Sequence, residues 1–424
     1  MLIISSPHTT CSLFFEETMH DTNFFGDDYL HVDINNAMEA IIPNLEELEH
    51  LRQTTRRFMR DEVRPAEDKV QHDAYELPQE LLNPLKQKAK EIGLWALRSP
   101  AEYGGQGMGL EASAVFAEEA SRCKMGAYIP ACGATGSNPP APILLGTKEQ
   151  IERFAIPAIA DGAKVFMAIS ESSGGSDPAR SIRTRAVLKG DHYVLNGSKL
   201  WISGAQSAKW GLVFARTGDQ GDRGGITCFI IDGKPKGLAL REVPVIRSFP
   251  TYELTFDNVE VPVENRLGGE GQGFALCERL LVEARVPYAA GCIGIAQEAL
   301  EIAIDWARDR RAFGSTLSEK QSIQWMIADS DMELRAARLL TQDAARKCDA
   351  GLPFKVEASI AKVVATETAG RVVDRCLQIL GGMGVAKEMP LERWYRELRI
   401  KRIGEGPSEV HRMVLARQLF RGTA

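Results

Sequence analysis

Histidine is scarce in this 424-residue chain: there are seven, and none is spaced as H-x-x-x-H or H-E-x-x-H. A zincin-type metal site therefore has no ligand pattern to rest on, and no metal is expected. The eight cysteines (Cys11, Cys123, Cys132, Cys228, Cys277, Cys292, Cys348 and Cys376) never form C-x-x-C and never cluster. That excludes a disulfide scaffold and fits buried thiols in a reducing compartment. No apolar run reaches the roughly eighteen residues a membrane span needs, so no transmembrane helix is predicted. Basic residues do not dominate either. Lys and Arg number 51 against 57 Asp and Glu, a net charge of −6, which gives no footprint for nucleic acid. The first forty residues lack a basic leader and carry several acids, unlike a secretory or mitochondrial targeting segment. A cytoplasmic location is the expectation, with residues 1–44 read as a flexible extension in which Met19 or Met38 is an alternative start.

What is present is an ordinary globular composition, 44% apolar and 25% charged, in a chain long enough for two or three packed units. From residue 45 the pattern is helical, with Leu45, Leu48, Leu51, Thr55 and Phe58 at three- and four-residue steps, a run expected to end at Pro65. Helical patterns continue to about residue 162. Between 163 and 271 the rhythm becomes short alternating or β-branched runs, with Asn196-Gly197 as a hairpin signal, and predicts a small antiparallel β-domain. From 272 to 424 long helical patterns return. The fold class is therefore α+β in the order helical, β, helical, with no internal repeat.

One phosphate-loop look-alike fails on context. Gly107, Gly109 and Ala112 match G-x-G-x-x-A, but Pro100 and a glycine-rich loop precede them where a buried strand should stand. A turn opening a helix is the expected structure. AISESSGGSD (168–177) is more informative, because small hydroxyls and adjacent glycines leave backbone N–H groups free to approach a flat ring or a phosphate. In LWISGAQ, Trp201 and Ser203 stand two apart and are expected on one strand face, with a core or interface tryptophan as the competing interpretation. Near the C-terminus, Glu405 sits alone between Gly404 and Gly406, just before Pro407 and a helical pattern. Taken alone, it reads equally well as a helix N-terminal charge favoured by the dipole.

AISESSGGSD, GSKLWISGA, RRAFGSTLSEKQSIQ, LQILGGMGV and EGPSEVHR occur in that order along the α–β–α chain. Together they resemble the acyl-CoA dehydrogenase family over residues 45–424. The resemblance implies FAD, an N-terminal helical domain (45–162), a middle β-domain (163–271) and a C-terminal four-helix bundle (272–424). It implies that Met167, Ile169 and Ser170 line the flavin ring, that Trp201 and Ser203 cover other parts of it, and that Gly175 and Ser176 approach CoA and the FAD pyrophosphate. Arg310, Phe313 and Gln321, with Gln378, Gly381 and Gly382, correspond to residues that reach the cofactor across a subunit interface. A homotetramer or dimer and an electron-transferring flavoprotein partner follow from the same resemblance. Without its neighbouring motifs, Arg310 would read as a solvated helix face.

By the same resemblance Glu405 is the catalytic base. It removes the proton α to a thioester while its own backbone N–H and a flavin hydroxyl hold the carbonyl, and the product is a trans-2-enoyl-CoA. An oxygen-using acyl-CoA oxidase and a binding module of the same fold without dehydrogenase activity are the alternatives. Three departures stand out. Some relatives carry the base just before the arginine of LLVEARVPYAAG, where this chain has Ala284; Glu283 lies about 100° away around the helix, and Arg285 is a candidate for the CoA or acyl end. Pro407 replaces a threonine hydroxyl and N–H, with Ser408 as a substitute. Gly404 replaces a large residue, usually tyrosine, so open space beside the α-carbon is expected, and with it a branched, cyclic or bulky acyl group.

Overall fold

The computed structural model describes residues 45–136, 138–219 and 223–421; the extension expected at 1–44 lies outside them. Helix α1 (Leu45–Phe58) buries Leu48, Leu51, Thr55 and Phe58 as its spacing requires, while Leu45 is exposed. The helical path does not stop at Pro65. It widens into a π turn at Met59–Val63 and continues through Arg64–Glu67, with the Arg64 N–H bonded to the Met59 carbonyl. The wider turn accommodates a ring that has no N–H and would clash with a regular preceding turn. Helices α2 (Gln79–Glu91), α3 (Leu110–Ala120) and α4 (Ile156–Asp161) follow. The glycine-rich loop before α3 is a turn as expected. The first N–H groups of α3, from Leu110 and Glu111, donate to the Asp349 carboxylate at 2.6 and 2.8 Å, which caps the helix and leaves no phosphate loop there.

The middle segment is one eight-stranded sheet in the order β6-β7-β3-β2-β4-β5-β8, with β1 added beside β4. The strands are β1 (Val165–Ala168), β2 (Arg185–Lys189), β3 (His192–Ser203), β4 (Trp210–Arg216), β5 (Ile226–Asp232), β6 (Leu238–Val243), β7 (Thr251–Pro262) and β8 (Arg266–Leu267). Most ladders are antiparallel, but β1 runs parallel to β4, and β2 meets β4 in a single parallel pair. Strand β4 is buried along its whole length and β5 up to its last residue. Their alternate residues supply two different cores. Val213, Ala215, Phe229 and Ile231 pack with β3 and β7; Leu212, Phe214, Cys228 and Ile230 pack with Phe154, Ala158 and Cys277 from flanking helical segments. A strand covered on both faces reads as a continuous apolar run.

After the sheet come α5 (Gly273–Asp309), α6 (Gln321–Asp349), α7 (Lys355–Leu380), α8 (Leu391–Lys401) and α9 (Ser408–Arg421). The long helices meet along seams of small residues, among them Ala296, Ala299, Ala303, Ala337, Ala361, Ala365 and Ala369, all fully buried. At Gly294 an added Cβ would lie 1.8 Å from the Glu118 carbonyl oxygen, so α3 and α5 touch backbone to backbone and only glycine fits. Among the described residues no helix is long and apolar enough to cross a membrane.

Candidate active site

Glu405 occupies a turn between α8 and α9 with φ of +56°, left-handed backbone that a residue with a Cβ seldom adopts. Both neighbours are glycine for separate reasons. Gly406 has φ of +89°, and an added Cβ would lie 3.1 Å from His411 Nε2. The turn is pinned from three sides. Lys362 Nζ on α7 donates to the Gly406 carbonyl at 2.6 Å and to the Arg402 carbonyl at 3.2 Å. His411 Nε2 lies 3.1 Å from the Glu405 carbonyl oxygen and donates to it, and the Gly404 N–H donates to the Ile400 carbonyl at 3.0 Å. Holding a non-glycine residue at positive φ costs on the order of 1–3 kcal/mol and persists only where surrounding contacts fix it.

The carboxylate is buried although the residue as a whole is half-buried, and Oε2 has no hydrogen-bond partner. Among the described residues no acceptor takes the Glu405 N–H. Burial pushes the Glu405 pKa up; Lys401, Arg285 and Lys362 pull against it without reversing the shift. Arg285 is buried on α5, donates to Ser359 Oγ at 3.5 Å and leaves its Nε unpaired, so it is no surface salt bridge. Glu283 faces away, as its helical offset requires, and pairs with Arg98 at 3.0 Å. Burial pushes His411 down to about 4 and Lys362 down to about 8. The imidazole is therefore neutral at pH 7, one nitrogen donating to the turn and Nδ1 without a partner.

The space expected beside Gly404 is occupied. An added Cβ there would lie 2.8 Å from the Tyr288 hydroxyl, which itself donates to the Lys401 carbonyl at 3.3 Å. A phenol from α5 stands where the ring missing at 404 was expected, so the space beside Gly404 is polar and filled rather than open. Ser408 Oγ is buried without a partner, and Pro407 serves α9, its carbonyl accepting from Val410 and His411.

The 168–177 segment leaves β1 and is tied down by a buried ion pair that sequence reasoning missed. Lys199 Nζ on β3 donates to Glu171 at 2.9 Å and to the Ile169 carbonyl at 3.0 Å. The Glu171 carboxylate also accepts from the N–H groups of Arg183 and Thr184 at 2.7 and 3.0 Å. Ser173 Oγ donates to the Ser181 carbonyl at 3.0 Å, and the Leu200 N–H to the Ser170 carbonyl at 2.9 Å. Ser176 and Gly175 remain exposed, while Met167 and Ile169 pack against the sheet core. Trp201 is not a core residue. It sits at a β-bulge with φ of +67° and is 54% exposed, so strict alternation with Ser203 is broken there. Ser203 Oγ accepts from Arg247 at 2.8 Å.

The remaining expected residues stand apart. Arg310, Gln321, Gln378, Gly381 and Gly382 are exposed on the helical segment, and Phe313 is 99% exposed at the tip of a two-residue hairpin. A Cβ added at Gly381 or Gly382 meets nothing within 4 Å. Arg310 packs over Trp306 at 5.9 Å, and Lys320 Nζ donates to the Phe313 carbonyl at 3.4 Å. Their contacts within this chain are local ones. Besides Lys199, the residues sequence reasoning missed are Lys362, Lys401, His411, Tyr288, Tyr128 and Arg247. Only Lys401, one turn ahead of Glu405, carried a positional signal.

The chain matches the acyl-CoA dehydrogenase N-terminal domain over residues 45–163, the middle domain over 166–259 and the C-terminal domain over 271–420. It is 38% identical over 385 residues to the mitochondrial short-chain specific acyl-CoA dehydrogenase of Mus musculus, covering 88% of this chain and 89% of that protein. It is 35% identical over 381 residues to the 3-(aryl)acrylate reductase of Clostridium sporogenes, covering 89% and 99%. The solved butyryl-CoA dehydrogenase of Megasphaera elsdenii superposes with a TM-score of 0.80 at 30% identity, over 90% of this chain and 100% of that one.

Proposed function

The chain belongs to the acyl-CoA dehydrogenase family of oxidoreductases, and we propose that it oxidises an acyl-CoA between the α- and β-carbons with Glu405 as the base. The observation that carries this reading is the buried, unpartnered Glu405 Oε2 on a pinned turn whose own N–H is also free. A thioester α-carbon is a very weak acid. Its proton leaves only if the negative charge growing on the carbonyl oxygen meets a fixed donor while a base is in place. The Glu405 N–H is that donor and Oε2 takes the proton, which forms an O–H bond as the C–H bond breaks. Burial raises the carboxyl pKa toward working pH, as suits a base that must later give the proton up. Arg285 holds the thioester end from α5, and Gly404 and Gly406 let the backbone turn toward it.

Members of this family bind FAD, and the residues present fit it. Trp201 and Phe313 offer exposed aromatic faces, and Gly381 and Gly382 leave backbone open for phosphate. Met167, Ile169, Ser170, Trp201 and Ser203 would hold the ring, with Gly175 and Ser176 at the pyrophosphate and CoA. Arg310, Phe313, Gln321, Gln378, Gly381 and Gly382 would come from a second copy in a homotetramer or dimer. When bound, FAD supplies the two-electron acceptor for the hydride that leaves the β-carbon, and the product is a trans-2-enoyl-CoA. An electron-transferring flavoprotein then takes the electrons.

Anaerobic mixing of the purified holoenzyme with a panel of acyl-CoAs tests this. Flavin bleaching by at least one of them is expected, with Glu405→Gln keeping its flavin yet leaving it coloured. Normal bleaching by that variant removes Glu405 from the role of base. Turnover in air without an added acceptor would replace the electron-transferring flavoprotein by oxygen.

A further inference from the structure

Glu67 ends the helical path that begins with α1, and its carboxylate turns inward against the loop that follows α3. The N–H groups of Lys124 and Met125 donate to it at 2.9 and 2.7 Å. Among the described residues no lysine, arginine or histidine forms an ion pair with it; Arg64 is taken by Glu298 and Lys124 Nζ by Asp68. Two thiols face it instead. Cys132 Sγ lies 3.5 Å from Glu67 Oε1 and 4.0 Å from Cys123 Sγ, and the three atoms lie within 4.8 Å of one another. Glu67, Cys123 and Cys132 are all buried. No spacing pattern marks this cluster, since the two cysteines stand nine positions apart and Glu67 stands 65 before Cys132.

A buried carboxylate without a counter-cation is costly, and a thiol is a weak donor to set against that cost. The spacing suits a stronger partner. On a tetrahedron with about 2.3 Å from metal to sulfur and about 2.0 Å to oxygen, two sulfurs lie about 3.8 Å apart and a sulfur and an oxygen about 3.5 Å apart. Ala131 and Cys132 also hold φ of +48° and +52°, left-handed backbone that residues with a Cβ keep only where their surroundings fix it. We propose that Glu67, Cys123 and Cys132 form a binding site for a thiophilic metal ion, zinc, through one carboxylate oxygen and two thiolates. Contact with Cys123 and burial push the Cys132 thiol up, so it keeps its proton until a metal displaces it. Binding forms two metal–sulfur bonds and one metal–oxygen bond, releases both thiol protons to solvent and moves no electron. The fourth corner is left to a solvent molecule. The ion ties the end of the first helical path to the loop between Cys123 and Cys132. That loop carries Tyr128, whose ring has Lys401 Nζ at 4.4 Å and the Arg247 guanidinium at 4.2 Å. Trp394 of α8 donates to the Cys123 carbonyl at 3.1 Å. Occupancy therefore stiffens the support beneath α8, the helix that leads to Glu405.

The test equilibrates the purified full-length holoenzyme with Zn²⁺ and removes the excess by gel filtration. Elemental analysis is expected to find about one zinc per chain, held against a chelator of roughly micromolar affinity. The loaded protein should also melt at a higher temperature than the chelator-stripped one. Cys132→Ser and Glu67→Gln should each lower retention roughly tenfold or more, whereas Cys348→Ser, at a half-buried thiol outside the cluster, should leave it unchanged. Anomalous diffraction from wild-type crystals at the zinc edge locates the ion even if those variants do not fold, with the peak expected between Glu67, Cys123 and Cys132. Retention below about one zinc per ten chains, a peak elsewhere, or retention unchanged in Cys132→Ser overturns the site. Preference for Mg²⁺ or Ca²⁺ over zinc overturns it too, because those hard ions take oxygen ligands rather than thiolates.

Discussion

Glu171 and Glu405 are both acids in segments where the sequence pattern changes, and both bring a carboxylate into the interior, yet the protein treats them in opposite ways. Burial works against the charge of each. At Glu171 that effect is outweighed by Lys199, by the Thr184 and Arg183 contacts, and the pKa ends below the usual carboxylate range. At Glu405 three cations act from a distance, no hydrogen bond reaches Oε2, and the pKa ends above it. A fully bonded carboxylate is a fastener, whereas one left charged only with difficulty is a reagent. Burial raises both, and the number of donors in contact decides which of the two is brought back down.

The comparison breaks first at its reactive side. Glu405→Gln should lower the rate of flavin reduction roughly 10⁴-fold, the upper end of what a positioned base contributes, with little change in melting temperature. A loss of stability matching the loss of rate would make Glu405 structural like Glu171. Next, Lys199→Met should destabilise the fold by about 3–5 kcal/mol, because Glu171 is left buried without its counter-charge; denaturant unfolding measures it, and a change below about 1 kcal/mol would show the pair to be dispensable. His411 sharpens the contrast through pH. Its folded pKa of about 4 lies below the usual value of about 6.5, so the unfolded chain binds more protons between those values. Stability should therefore fall as pH drops through that window, by up to roughly 3 kcal/mol for this group, and His411→Gln should flatten the profile. The smallest effect concerns the space beside Gly404. Gly404→Ala pushes a methyl against the Tyr288 hydroxyl and should cost roughly 1–3 kcal/mol, most of it recovered in the double variant with Tyr288→Phe.

Glu405 stood out because an acid isolated between glycines is a local pattern, although the role of base proposed for it came from the family resemblance; the α–β–α order was legible because periodicity is local too. What surrounds Glu405 was not. Lys362, Lys401, Tyr288, Tyr128 and Arg247 come from α7, α8, α5 and two loops, and no spacing along the chain records their meeting. Gly404 misled for a related reason: a deleted side chain does not say which residue fills its place, and Tyr288 lies 116 positions earlier. Pro65 misled because a π turn removes the clash that ordinarily ends a helix. The small hydroxyls and glycines stood out in the 168–177 loop, whereas the loop is held by Lys199 from the next strand but one.

The Asp349 cap on α3 bears on how the chain is made. The N-terminal N–H groups of α3 find their acceptor 239 residues downstream, and its acids Glu111 and Glu118 pair with Arg346 and Arg338 of α6. A ribosome therefore releases α3 long before its partners exist. Until residues near 349 emerge, that helix carries an uncapped end and unpaired acids, so α3 must wait for a segment synthesised more than two hundred residues later before it can finish folding.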